Sequence, residues 1–265
     1  KNEKLDLVIG VDAVGALAGF GVIGKCHLLS LEIYESDLIT KLLVLKKDKI
    51  QSVMVQSPDR EALLLPNYSG AKFYIQNAPV FKKMKKGHYY KNSIISLGSF
   101  IPKMGSEIVY KFAKQHPNYS ITVKGLVPVN VEQTAPENII IERQYIEQGS
   151  LPEFLNSFEI GFCIYDFSKI PPDEYNHFNH LPSGKMYNYF NSLVPCIGNK
   201  CAGLRPIETF GAGILLEKTT PENIIWAINK IRQNYAQYVK GCEKAAKHYD
   251  FDRNAQEYLD FLKLQ

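Results

Sequence analysis

The residues whose types and spacing could do chemistry are Ser183, Gly184 and Lys185, at the head of a helical pattern. Ser183-Gly184 reads as a turn. Met186, Tyr189, Phe190 and Leu193 then recur at helical spacing, and Pro195 ends the run before Cys196-Ile197-Gly198. The first turn of a helix has unpaired N–H groups and the positive end of the helix dipole. At the carboxyl edge of a parallel sheet such a turn holds an anion, and Lys185 adds a mobile cation. Taken alone, the same run also suits an ordinary capped helix with a solvated lysine.

A second loop supports the anion reading. Gly98-Ser99-Phe100-Ile101-Pro102-Lys103-Met104-Gly105 follows the apolar run at 94–97. A glycine directly after a strand lets a ligand approach the backbone, and Lys103 can neutralise a phosphate oxygen. Two such loops in one β/α series are what a nucleoside diphosphate needs. Other clusters carry less. His177-Phe178-Asn179-His180 has metal-like spacing near Asp173 and Glu174, but no complete ligand set is evident, and no metal is expected. The chain lacks a serine elbow, an H-E-x-x-H motif and the G-x-G-x-x-G loop of a dinucleotide oxidoreductase.

The elements that must position these loops alternate. Strand patterns fall at 5–10, 27–31 (running on through Glu32-Ile33-Tyr34), 52–55 and 72–75. Helical patterns fall at 13–24, 38–47 and after Ser57-Pro58, where serine caps and proline takes the first helical position. A lysine-rich stretch follows at 81–91, with Lys82, Lys83, Lys85, Lys86 and Lys91. It reads as an interdomain linker; its alternative is a patch touching anionic lipid, as a peripheral membrane contact, or substrate. A second series then has strands at 94–97, 121–123, 139–141, 160–164, 196–198 and 213–216. Its helices start at Ser106, Leu151, Ser183 and Pro221, the last running to Tyr235. The stretch 166–183 reads as a long polar loop, and the tail as a helix. Strands alternating with helices imply parallel sheets, hence an α/β class.

Bulk properties set the outer bounds. A chain of 265 residues makes one large domain or two ordinary ones. A net charge of +4 is too weak to suggest a nucleic-acid partner. Five scattered cysteines without a C-x-x-C favour buried thiols and a reducing compartment. No apolar run is long enough to span a bilayer, so a cytoplasmic protein is expected. The chain opens on Lys1 rather than Met and enters a strand pattern almost at once, as expected of a fragment lacking its N-terminal part.

The run Lys185-Met186-Tyr187-Asn188-Tyr189-Phe190, with Val194-Pro195-Cys196-Ile197-Gly198, resembles the K-x-x-E-Y-x-x-x-G-x-P-V-I signature of family 4 retaining glycosyltransferases. The wider order is similar too: Leu97-Gly98-Ser99-Phe100, the loop Gln144-Tyr145-Ile146, the stretch 151–164, and 208–216. In the front part, Ser30-Leu31-Glu32-Ile33-Tyr34 and Gln56-Ser57-Pro58-Asp59-Arg60 resemble the second half of the family's N-terminal domain. The resemblance implies the GT-B fold, two Rossmann-like domains facing across a cleft, the N-terminal one incomplete. It implies residues 1–81 in the acceptor-side domain, 82–247 in the nucleotide-sugar domain, and 248–265 as a helix returning to the first.

The implied activity is transfer of a sugar, with retention, from a UDP- or GDP-sugar to a glycan or lipid-linked acceptor, as in polysaccharide assembly. No cofactor is implied, and the setting is cytoplasmic or at the cytoplasmic membrane face. Lys103 and Lys185 become the diphosphate partners. Gly98, Ser99, Gln144, Tyr145, Ile146, His180, Ser183, Gly184, Met186 and Asn188 form the donor set. Three positions depart from the pattern. His180 and Asn188 stand where the family often has glutamates, and Ser99 where it has arginine. These departures motivate the alternative of a non-catalytic nucleotide-sugar or glycan-binding module.

Overall fold

A computed structural model describes residues 5–32 and 38–263. Ile33 and Tyr34, expected at a strand end, lie outside the described residues. The chain divides into two compact units. One comprises residues 1–77, 171–180 and 251–265; the other comprises 78–170 and 181–250.

The first unit is built on four parallel strands in sequential order: β1 (Ile9–Val11), β2 (Cys26–Leu29), β3 (Ile50–Val55) and β4 (Ala71–Tyr74). The helix Asp12–Ile23 presents Ala13, Ala16, Gly19 and Phe20 to the core, because small residues let it lie close on the sheet. Gly19 is one such contact: a β-carbon there would come within 3.0 Å of Val8 Cγ1. Ser57 caps the helix Pro58–Leu64 as its sequence position implies, its Oγ accepting from Arg60 N at 3.3 Å. The helix Phe251–Lys263 belongs to this unit and sets Tyr258 edge-on to Phe73, with ring centroids 5.0 Å apart.

The second unit holds six parallel strands: β5 (Ser93–Leu97), β6 (Ser120–Lys124), β7 (Ile139–Glu142), β8 (Ile160–Cys163), β9 (Cys196–Asn199) and β10 (Gly213–Leu216). Their spatial order is β10-β9-β8-β5-β6-β7. The chain therefore runs outward from β5 to β7, returns, and runs outward on the other side from β8. β5 and β8 are neighbours at the reversal, paired through Ile94–Ile160 and Ser96–Phe162. Buried strands such as Ile160–Cys163 are apolar throughout because helices cover both faces. All five cysteines are free and buried.

Three local readings are corrected. The stretch 166–183 is not a plain loop: it contains two 3₁₀ turns and the helix Tyr175–His180. The helix from Pro221 stops at Gln233. Asn234 leaves helical geometry at φ −135°, and a separate helix, Tyr235–His248, follows.

The lysine-rich stretch is not a solvated linker either. It packs on the second unit, where Lys86 Nζ donates to the carbonyls of Asn156 and Phe158 at 2.7 and 2.8 Å. Gly87 N donates to Asn156 Oδ1 at 2.7 Å, and Lys82 pairs with Glu153 at 2.5 Å. Lys83, Lys85 and Lys91 are its other lysines, all exposed.

Burial pushes the Lys86 ammonium down to about 8 from 10.5. The folded state thus binds fewer protons than the unfolded one between these values, so stability attributable to Lys86 rises with pH across that window and is lost below it. Compared with Lys86→Met, the wild type should gain about 2–3 kcal/mol between pH 8 and 10.5. Urea denaturation of both proteins across that range checks it; a constant difference would show that Lys86 is not desolvated.

Candidate nucleotide-sugar site

Ligands of open parallel sheets bind beyond the carboxyl ends of the strands, where the strand order reverses. In the second unit that point lies between β5 and β8. The loop after β5 begins at Gly98, whose φ of +89° suits glycine. Gly98 N donates to Lys124 O at 2.9 Å and Phe100 N to Leu126 O at 2.8 Å. The following loop comes so close that a β-carbon on Gly125 would lie 2.2 Å from Gly98 O. Residues Pro102–Met104 form a 3₁₀ turn closed by Gly105, at φ +82°. Gly105 rests on the end of β8, where a β-carbon would meet Ile164 O at 2.9 Å, and Asp166 N donates to Lys103 O at 3.1 Å. The Lys103 turn is thereby fixed on segment 164–166.

The same segment lies beneath Lys185. Tyr165, fully buried, receives the Lys185 ammonium over its ring at 5.4 Å from the centroid. Tyr165 N donates to Asn199 Oδ1 at 2.6 Å, which holds this floor to the end of β9. Both lysine-bearing loops therefore border one stretch of backbone at the switch point. Lys185 is half-buried, and burial holds its pKa below the ordinary lysine range. Among the described residues no carboxylate pairs with it. A partly desolvated cation over an aromatic floor, beside the first turn of the helix Gly184–Asn191, is suited to an incoming anion.

That helix is pinned by Tyr189. Its hydroxyl accepts from Leu97 N at 2.9 Å and faces the carbonyls of Ile95 and Phe162 at 3.1 and 3.3 Å. Its ring fills the space left by Gly161, where a β-carbon would sit 2.6 Å away. One side chain thus ties the helix to both switch-point strands. Tyr189→Phe leaves Leu97 N–H without this buried acceptor and should cost about 1–3 kcal/mol. Thermal unfolding measures this directly; an unchanged midpoint would mean that another group takes over the bond.

The remaining expected residues divide. Ser99 is half-buried in the first loop, and Gly98 is exposed. Gln144 is exposed after β7, its carbonyl accepting from Lys124 Nζ; Tyr145 is 82% exposed and Ile146 half-buried. Asn188 is half-buried, and its Nδ2 donates to Gly184 O at 2.9 Å within its own helix.

Met186 is a correction. Its side chain is fully buried in the core and its amide donates to Ser183 O at 3.0 Å, so it offers a ligand neither. His180 ends the helix Tyr175–His180, which groups with the first unit, and its Nδ1 lies 3.0 Å from Asn176 O. Its neighbour His177 places Nε2 3.2 Å from Glu32 Oε2. Among the described residues no group of three or more His, Cys, Asp or Glu could hold a metal ion, and no helix is long and apolar enough to cross a membrane. The sequence reading missed Tyr165 and Gly125. The apolar run ending at Tyr165 and the glycine directly after β6 were the available signals.

No protein-family model matches the chain, and no curated protein matches it. Solved structures do. The pneumococcal O-GlcNAc transferase GtfA, in complex with UDP and GlcNAc, superposes with a TM-score of 0.62 at 11% identity, over 90% of this chain and 52% of its own. Anabaena HepE, in complex with UDP-glucose, gives 0.70 at 11% identity, over 97% and 79%. Sucrose-phosphate synthase from Thermosynechococcus elongatus gives 0.69 at 13%, over 97% and 73%. The chain spans about half the length of the first of these. At such identities the likeness is one of fold. Two all-parallel Rossmann-like units that superpose on these enzymes make this an α/β chain of the GT-B fold.

Proposed function

We propose that the chain is part of a glycosyltransferase that draws on a nucleotide-sugar donor and transfers the sugar, with retention, to a glycan or lipid-linked acceptor. One observation carries this reading: the Lys103 turn and the Lys185 helix start border the same backbone at the β5/β8 switch point. The solved structures of like fold include complexes with UDP or UDP-glucose, which supports a uridine nucleotide as the first donor to try.

The chemistry is electrostatic. Negative charge gathers on the departing diphosphate as the glycosidic bond breaks. Lys103, Lys185 and the first-turn amides after Ser183 would stabilise that charge, already in position before the bond breaks. Gly98 and Ser99 would line the phosphates from the other side. Asn188 keeps its Oδ1 for a ribose hydroxyl, since its Nδ2 is engaged by Gly184 O. Gln144, Tyr145 and Ile146 would border the base.

A second reading, a binding module without turnover, is favoured by the neutral Asn188 and Ser99 at positions where the resembled family carries charge. Incubation with UDP-glucose and UDP-GlcNAc, with UDP release as readout, separates the two. Release above the uncatalysed rate supports the transferase. UDP binding without release supports the module. No binding of UDP or GDP by calorimetry contradicts both.

A further inference from the structure

The first unit has its own cavity, of about 430 Å³, at the carboxyl ends of its strands. This lies within the roughly 300–1,000 Å³ typical of small-molecule pockets. Leu29, Leu31, Met54 and Ile75 supply one wall from the ends of β2, β3 and β4. Phe251, Ala255, Tyr258 and Leu259 supply the other, recurring along one face of the helix Phe251–Lys263. Both walls are apolar. Phe251 stays 41% exposed, Leu259 49% and Leu31 42%, which leaves apolar surface for a guest to cover.

One end is polar. Gln76 and Asn77 line it. Gln76 Nε2 is spent on Gln56 O at 2.8 Å, while its Oε1 is buried with no hydrogen-bond partner among the described residues. Gln56, 7% exposed, is in the same condition: Nε2 donates to Leu31 O at 3.3 Å, and Oε1 has no partner. A buried acceptor without a donor costs about 1–3 kcal/mol. Of the two, Gln76 belongs to the cavity's own lining, so its oxygen calls for a donor from a guest there, and a hydroxyl supplies one.

We infer that this cavity seats the apolar aglycone of the acceptor, an alkyl or aryl group whose hydroxylated head lies at the Gln76–Asn77 end. This rests on the glycosyl-transfer reading for the word acceptor, though not for the binding itself. A free sugar has no apolar body to cover these walls and is excluded as the main ligand of the pocket.

The test uses the full chain with its methionines ¹³C-methyl labelled, since Met54 lies in the wall. It is titrated with n-octyl glucoside below its micelle concentration, with glucose, and with n-octanol. The Met54 methyl should shift with octyl glucoside and not with glucose. Ala255→Trp, which fills the cavity, and Leu259→Asp, which charges a half-exposed wall position, should each weaken octyl glucoside at least tenfold while UDP binding stays unchanged. An unmoved Met54, equal response to glucose, or unweakened binding in both variants overturns the inference. A response to octanol without one to octyl glucoside also overturns it, because the site would then take a lipid with no room for a sugar head. Octyl glucoside binding without UDP binding keeps the pocket and removes the transferase reading; UDP binding alone does the reverse.

Discussion

Replacing Arg232 with alanine should cost about 3–5 kcal/mol of stability, the amount typical when one member of a buried ion pair is removed. Arg232 closes the amino edge of the second sheet. Its Nε and Nη2 donate to the two Glu159 carboxylate oxygens at 2.6 and 2.7 Å, Nη2 also reaches Asn92 Oδ1 at 2.6 Å, and Nη1 reaches Tyr119 at 3.2 Å. Glu159 is only 2% exposed and accepts further from Asn92 N at 2.7 Å. Without the guanidinium a carboxylate remains buried with little to offset its desolvation. Much of the loss should return in Arg232→Met/Glu159→Leu, which removes both charges. Denaturant unfolding of the single and double variants decides. A single-variant loss below about 1 kcal/mol would class the pair with weak surface bridges. Because the pair lies at the edge opposite the candidate site, UDP affinity of the folded variant should not change.

The second large effect concerns ligand rather than stability. Lys185→Ala should weaken UDP by roughly 30- to 150-fold, equivalent to about 2–3 kcal/mol for a charge-assisted contact in a partly desolvated setting. Lys185→Arg should restore little, since a planar fork does not reproduce a compact ammonium over the Tyr165 ring. The pH dependence has a definite sign. Burial favours the neutral amine, so the basic limb of UDP affinity should begin below the ordinary lysine range. Calorimetry of the wild type and both variants between pH 7 and 10 provides the readings. An alanine variant within threefold of wild type would place the diphosphate elsewhere.

Much of this architecture was legible because strand and helix periods alternate cleanly. Among the described residues all ten strands fall within or next to runs that the apolar pattern marks, and Ser57-Pro58 and Pro221 mark helix starts by local chemistry. What was not legible depends on tertiary partners. Lys86 looks like one more surface lysine until Asn156 and Phe158 offer it two carbonyls. Met186 looks like part of the ligand loop, yet position 186 falls on the buried side of the first helical turn. His180 is two residues from the helix-start loop, but the helix carrying it groups with the other unit. Tyr165 gave no motif at all; its role as the floor beneath Lys185 arises only when β8 and β9 lie side by side.

The claim that matters most is that one diphosphate touches both loops at once. Amide hydrogen exchange with and without saturating UDP tests this directly. Protection should rise together in residues 98–105 and 183–188, and not in residues 87–92 at the opposite edge of the sheet. Protection confined to one of the two loops, or appearing in neither, would contradict the proposed site.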